Sequence, residues 1–153
     1  TDKREIVING NPEKDAKRKK TGKTAESIVL EELTKEGWEA LSWNDEFKEE
    51  RVGHDLVFKK GNEVRVVEVK GRDGKWTGDQ DISEAQLRMG LLHHGKEPEN
   101  HPGCNYSIWL YVVEYVYAKY KIQQINWPEM KISAYFPRNV WAPEEDNKDD
   151  DED

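Results

Sequence analysis

Two neighbouring segments constrain this chain more than any other feature: Gly53-His54-Asp55-Leu56-Val57-Phe58 and Val64-Arg65-Val66-Val67-Glu68-Val69-Lys70-Gly71. Both are dominated by β-branched and other strand-forming residues, and Lys60-Gly61-Asn62 between them supplies turn residues, so the pair reads as a β-hairpin. Strand side chains alternate between faces, which puts Val64, Val66, Glu68 and Lys70 on one face. An apolar face ending in two opposite charges is unusual for a strand that only packs. In an antiparallel hairpin Asp55, at the start of the first strand, comes near Glu68 and Lys70, at the end of the second. Two carboxylates and an ammonium then meet at one end of a sheet, a combination suited to a hard divalent cation with a lysine beside it.

Phosphodiester hydrolysis is the chemistry that such a group serves. Carboxylates hold Mg²⁺, with Mn²⁺ as a substitute, and the ion bridges a phosphate oxygen and lowers the pKa of a bound water. A lysine can orient or deprotonate that water, or steady the developing negative charge. Asp55 followed by Glu68-Val69-Lys70 resembles the signature of the restriction-endonuclease-like PD-(D/E)xK nuclease superfamily. The surroundings strengthen the likeness. Thr24-Ala25-Glu26-Ser27 opens a helix, Ile82-Ser83-Glu84-Ala85-Gln86 opens a second, and Tyr106 to Tyr115 forms a further strand. This order resembles the branch named for the C-terminal domain of the plant protein NO VEIN, over roughly residues 22 to 117. The resemblance implies an α/β fold with a mixed central sheet flanked by helices, in the order αβββαβ, with extra β elements after it. It also implies Mg²⁺ ligation by Asp55, Glu68 and the Val69 carbonyl, a catalytic role for Lys70, and Glu26 as an acid beside the metal.

At 153 residues the chain is long enough for one domain with a modest core. No apolar run approaches the ~20 residues of a membrane span, so no membrane partner is expected. The single cysteine, Cys104, excludes an internal disulfide and fits a reducing compartment, cytoplasmic or nuclear. Starting at Thr1 without a methionine, the chain reads as a piece of a longer protein, fused to or working with other domains, as a monomer or a homodimer. Of the net charge of −8, residues 144–153 contribute −7 through eight acids and one lysine, leaving −1 for the rest. A block of like charge that dense reads as a disordered tail. Lys14, Lys17, Arg18, Lys19, Lys20 and Lys23 form the opposite bias. Residues 1–20 therefore read as a basic, weakly structured arm, either a solvated lead-in or a set of phosphate contacts. The α/β domain spans 21–143.

Within that domain a helix is expected from about Thr24 to Glu36, with Glu26, Val29, Leu30 and Leu33 on one stripe. Glu26 is either a partner of the helix dipole or a functional acid. Trp38 to Trp43 alternates as a strand, residues 44–52 form a charged loop, and Tyr106 to Val116 suits a central strand buried on both faces. Residues 119–127 and Ile132 to Phe136 are candidates for outer strands, and Ile6-Val7-Ile8 for an edge strand. The glycine-rich loop Gly71 to Asp79 is placed at the mouth of the site, with Trp76 able to stack on a base and Arg72 or Lys75 to meet phosphates. Ser83 and Gln86 have capping-box spacing, so Gln86 is either a cap partner or a polar group aimed at the metal. Thr21-Gly22-Lys23-Thr24 is not a phosphate loop, because position 17 is a lysine where that motif requires glycine. His93, His94, His101 and Cys104 follow no zinc-ligand spacing.

The expected function is Mg²⁺-dependent cleavage of nucleic acid, DNA favoured over RNA, within a larger restriction or defence protein. The alternative keeps the fold without the chemistry, as a nucleic-acid- or protein-binding module at the end of a helicase or ATPase.

Overall fold

The computed structural model describes residues 12–47 and 56–131, with backbone alone for 12–15. Asp55, Ile6-Val7-Ile8, residues 48–52, Ile132 to Phe136 and the acidic tail lie outside the described residues. The elements are helix α1 (Pro12–Lys35), strand β1 (Glu39–Leu41), helix α2 (Trp43–Phe47), and strands β2 (Leu56–Lys60) and β3 (Glu63–Gly71). Helix α3 (Glu84–His93), strands β4 (Asn105–Glu114) and β5 (Lys121–Asn126) and a 3₁₀ turn (Trp127–Glu129) follow.

The described strands form a five-stranded mixed sheet in the order β1-β2-β3-β4-β5. Only β3 and β4 are parallel, and α3 makes the crossover between them. The expected hairpin is present, Leu56 pairing with Val67 and Lys60 with Glu63 around Gly61 at φ +60°. β4 lies between β3 and β5, as its near-continuous apolar run requires.

Helix α1 covers one face of this sheet, burying Ala25, Val29 and Leu33 against Phe58, Val67, Val69, Tyr111 and Val113. Helices α2 and α3 cover the other, where Phe47 and Met89 pack on Val57, Val64, Val66, Tyr106 and Ile108. Two expectations are corrected on α1. Its helix begins at Pro12, so much of the basic arm is helical rather than weakly structured, as a run of alanine, lysine and arginine favours. Its buried stripe is Thr21, Ala25, Val29 and Leu33, whereas Leu30 is exposed and Glu26 half-buried. The helix stops in a Schellman arrangement: Gly37, at φ +95°, donates to Thr34, and Trp38 donates to Leu33 and packs in the same core. A third correction is α2, which forms within the expected strand and charged loop and buries Phe47 against Tyr106 and His93. Among the described residues no helix is long and apolar enough to cross a membrane.

Two further devices fasten the sheet. The Arg65 guanidinium lies 4.5 Å from the Trp38 ring and 4.0 Å from that of Trp109, and donates to Glu63 and to the Tyr111 hydroxyl at 2.8 Å each. Stacking on two indoles satisfies a cation that would otherwise be costly to hold at this depth. On the opposite face, Gly90 of α3 lies under Trp127. A Cβ there would sit 2.3 Å from the indole ring. Gly90→Ala must displace that ring, at a cost of about 1–3 kcal/mol for overpacking. Urea unfolding of the variant should show the lower midpoint.

Candidate functional site

Glu68 and Lys70 share the β3 face that carries Val64 and Val66, which pack on the α3 side of the sheet. Their position follows from strand alternation alone. The Glu68 side chain is 7% exposed and its Oε2 is 3.1 Å from Lys70 Nζ, while Lys70 is 30% exposed. A carboxylate taken this far out of water needs such a counter-charge. Gln86, buried on α3, lines a crevice of about 10 Å³ with Glu68, together with Ile82, Trp109, Leu110, Trp127 and Met130. That is room for a single water or ion at most.

Ile82, Leu110 and Met130 also line a cleft of about 770 Å³, so the crevice opens onto it. One wall of the cleft is the loop from Trp76 to Ile82, the other the end of β5 and the 3₁₀ turn. The cleft lies over the middle of β4, where Leu110 pairs with Ile125 of β5.

Gln86 performs its cap function in full. Its Oε1 accepts from the Ser83 N–H at 2.9 Å and its own N–H donates to Ser83 Oγ at 3.1 Å, while its side chain stays buried beside Glu68. The cap expectation is met, and the same side chain lines the crevice with Glu68. Val69 points its side chain to the α1 core. Glu26 belongs to α1, on the other face from Glu68. It follows Ala25, whose Cβ would meet a Cβ on Gly71 at 2.8 Å. Asp55 precedes Leu56, the first described residue of β2, which pairs with Val67. Among the described residues no three histidine, cysteine, aspartate or glutamate side chains gather as a metal-ligand group.

The loop after β3 is fastened by a residue that the motif reading passed over. Glu114, buried at the end of β4, accepts from the Trp76 N–H at 2.7 Å and from Gln123 Nε2 at 2.8 Å. Its signal in the sequence is one acid closing a long apolar run. Trp76 donates its indole N–H to the Asp79 carbonyl and remains half-exposed at the cleft. Arg72 donates to Gln80 Oε1 at 2.6 Å, so it braces the loop from within. The histidines and cysteine are spread among separate roles. His93 packs between Phe47 and Tyr106, and His94 Nδ1 accepts from the Ile108 N–H. His101 meets Glu46 at 2.8 Å, and Cys104 Sγ lies 3.9 Å from the Gly61 carbonyl.

No family model, no curated protein and no solved structure matches this chain.

The hydrogen bonds from Gln123 and Trp76 hold the Glu114 carboxyl below the usual glutamate range. At Glu63 burial works upward, but hydrogen bonds from Arg65 and Ser107 outweigh it and the carboxyl again titrates low. A folded-state pKa below the unfolded one contributes stability that is complete above the unfolded value, ~4.3 for glutamate. It is lost as pH falls through the folded value. Glu114→Gln removes its part of this dependence while Glu63 keeps the rest. Denaturation midpoints measured from about pH 6 to pH 3 should fall less steeply in the variant than in the parent.

Proposed function

We propose that this chain is the hydrolytic domain of a metal-dependent nuclease, with a restriction-endonuclease-like core and DNA as its favoured substrate. The observation that carries the reading is the Glu68–Lys70 pair, a nearly buried carboxylate 3.1 Å from an ammonium, beside a crevice that opens onto a substrate-sized cleft. A strand that only packs gains nothing by burying a carboxylate. The order of helices and strands and the β2–β3 hairpin add support, since both agree with what the resemblance implies.

The oxygen donors suit a hard cation in kind: the Glu68 carboxylate and the Val69 carbonyl are consecutive on β3, and Asp55 stands one residue ahead of Leu56. In this reading these three hold Mg²⁺, or Mn²⁺ in its place, and Glu26 completes the acidic cluster. The bound ion supplies Lewis acidity toward a phosphate oxygen and a water of lowered pKa. Lys70, held by Glu68, orients that water or stabilises charge developing on the phosphate. Gln86 positions the Glu68 carboxylate from α3, its own carbonyl oxygen fixed by the helix cap. Trp76, at the cleft, offers a ring on which a base can stack.

A second reading, a catalytically silent binding module, is favoured by one feature: the Glu68 carboxylate is paired with Lys70 at 3.1 Å, as in a structural ion pair. Three variants separate the two. Asp55→Asn and Glu68→Gln should abolish Mg²⁺-dependent cleavage of plasmid and single-stranded substrates, together with the rise in melting temperature that Mg²⁺ gives the parent. Lys70→Ala should keep the Mg²⁺-dependent rise and lose about 10²-fold or more in rate. A parent that Mg²⁺ neither stabilises nor activates leaves the binding module as the reading.

A further inference from the structure

Among the described residues, 16–23 of α1 have no part in the hydrophobic core, yet they are continuous with the half of the helix that does. Thr21 and Ala25 touch Gly71, the last residue of β3: a Cβ on Gly71 would lie 2.9 Å from the Thr21 carbonyl oxygen and 2.8 Å from the Ala25 Cβ. Thr21 is thus level with the end of the strand that carries Glu68 and Lys70. The helix before it, about 13 Å at 1.5 Å per residue, overhangs that end of the sheet.

Three contacts hold the overhang in place. Lys17 pairs with Asp73 at 3.1 Å, Lys20 lies 5.7 Å from the Tyr117 ring, and the Thr21 hydroxyl meets that of Tyr117 at 2.8 Å. With Thr21, Ala25, Val29 and Leu33 facing the sheet, helical geometry turns Lys19, Lys20 and Lys23 outward within an arc of about 100°, Lys20 standing at its edge nearest the Tyr117 ring. All three are exposed. Ala16 and Ser27 fall within the same arc, so short side chains leave a polymer room to approach.

We infer that this half of α1 is a rail for the phosphate backbone of a nucleic acid, on the α1 side of the sheet at the end where β3 finishes. The inference rests on the nucleic-acid reading above and adds the surface that grips the substrate. Charge complementarity selects a polyanion. The outward arc carries no tryptophan, phenylalanine or leucine among residues 16–23, which a membrane-surface helix requires.

Fluorescence anisotropy of a labelled 20-mer, duplex and single-stranded, tests the rail in EDTA, where metal-dependent cleavage cannot occur. The full chain is titrated at several NaCl concentrations, beside a Lys19→Gln/Lys20→Gln/Lys23→Gln variant. A Lys35→Gln/Lys59→Gln/Lys96→Gln control removes equal charge at the opposite end of the sheet. The rail variant should bind at least tenfold more weakly at moderate salt. Its slope of log affinity on log salt should be shallower by about 2–3, close to one unit per lost phosphate contact. The control should keep a slope nearer the parent's.

An unchanged slope, an equal change in the control, or a parent that binds neither oligonucleotide overturns the inference. So does tighter binding to phosphatidylserine vesicles than to either oligonucleotide. The two proposals fail separately. Rail-dependent binding without Mg²⁺-dependent cleavage removes the nuclease and leaves the rail, and cleavage with an unaltered slope does the reverse.

Discussion

Two parallel strands cannot be joined by a tight turn, and the pairing of β3 with β4 dictates most of what surrounds it. From Glu63 opposite Asn105 to Gly71 opposite Val113 the two run side by side, and the chain needs α3 to return between them. Strands in that position must be covered on both faces. Val66, Val67, Val112 and Val113 are accordingly fully buried, each adding about 1.5–3 kcal/mol of apolar burial. Helix α1 supplies the cover on one side, α2 and α3 on the other. The same geometry fixes where polar chemistry can sit. In the second half of β3 the alternation delivers a glutamate and a lysine to one face, beside a crevice that Leu110 of β4 also lines.

Glu68 is therefore the costly member of the fold. Its neighbours on that face are valines, and its environment contains leucine, isoleucine, methionine and tryptophan side chains. Lys70 offsets the charge and Gln86 brings a polar group from α3. Removing Lys70 would take the 3.1 Å counter-charge from a carboxylate that the sheet keeps buried. Glu114 repeats the principle at the end of β4, where a buried acid is satisfied by two donors and ties down the loop that walls the cleft.

Strand periodicity, turn residues and helix caps act over a few positions, so β3, the hairpin and the Ser83–Gln86 box could be read directly from residue order. The long apolar run of β4 announced its central place for the same reason. Less accessible was whatever depends on partners far along the chain. The lysine-rich start of α1 has ordinary helix propensity, but it is anchored by Asp73 and Tyr117, some 56 and 97 residues beyond Lys17 and Lys20. Trp43 to Phe47 reads as the end of a strand and the start of a charged loop, and becomes helical because Phe47 finds Tyr106 and His93. The outward rotation of Leu30 and Glu26 reflects which residue of α1 meets Gly71, a register that helical periodicity leaves undetermined. Glu68, Lys70 and Gln86 stood out as candidates from type and spacing; the crevice that Glu68 and Gln86 share needed the crossover.

The indole stack around Arg65 has a consequence in optics. Trp38 lies 4.5 Å from that guanidinium, near the start of β3, whereas Trp76 borders the cleft. Emission from Trp38 reports on the join between α1 and β3, and emission from Trp76 on the loop that walls the cleft. Trp109 belongs to both surroundings, 4.0 Å from the guanidinium and on the lining of the crevice with Glu68. Single tryptophan-to-phenylalanine changes would let these signals be read apart.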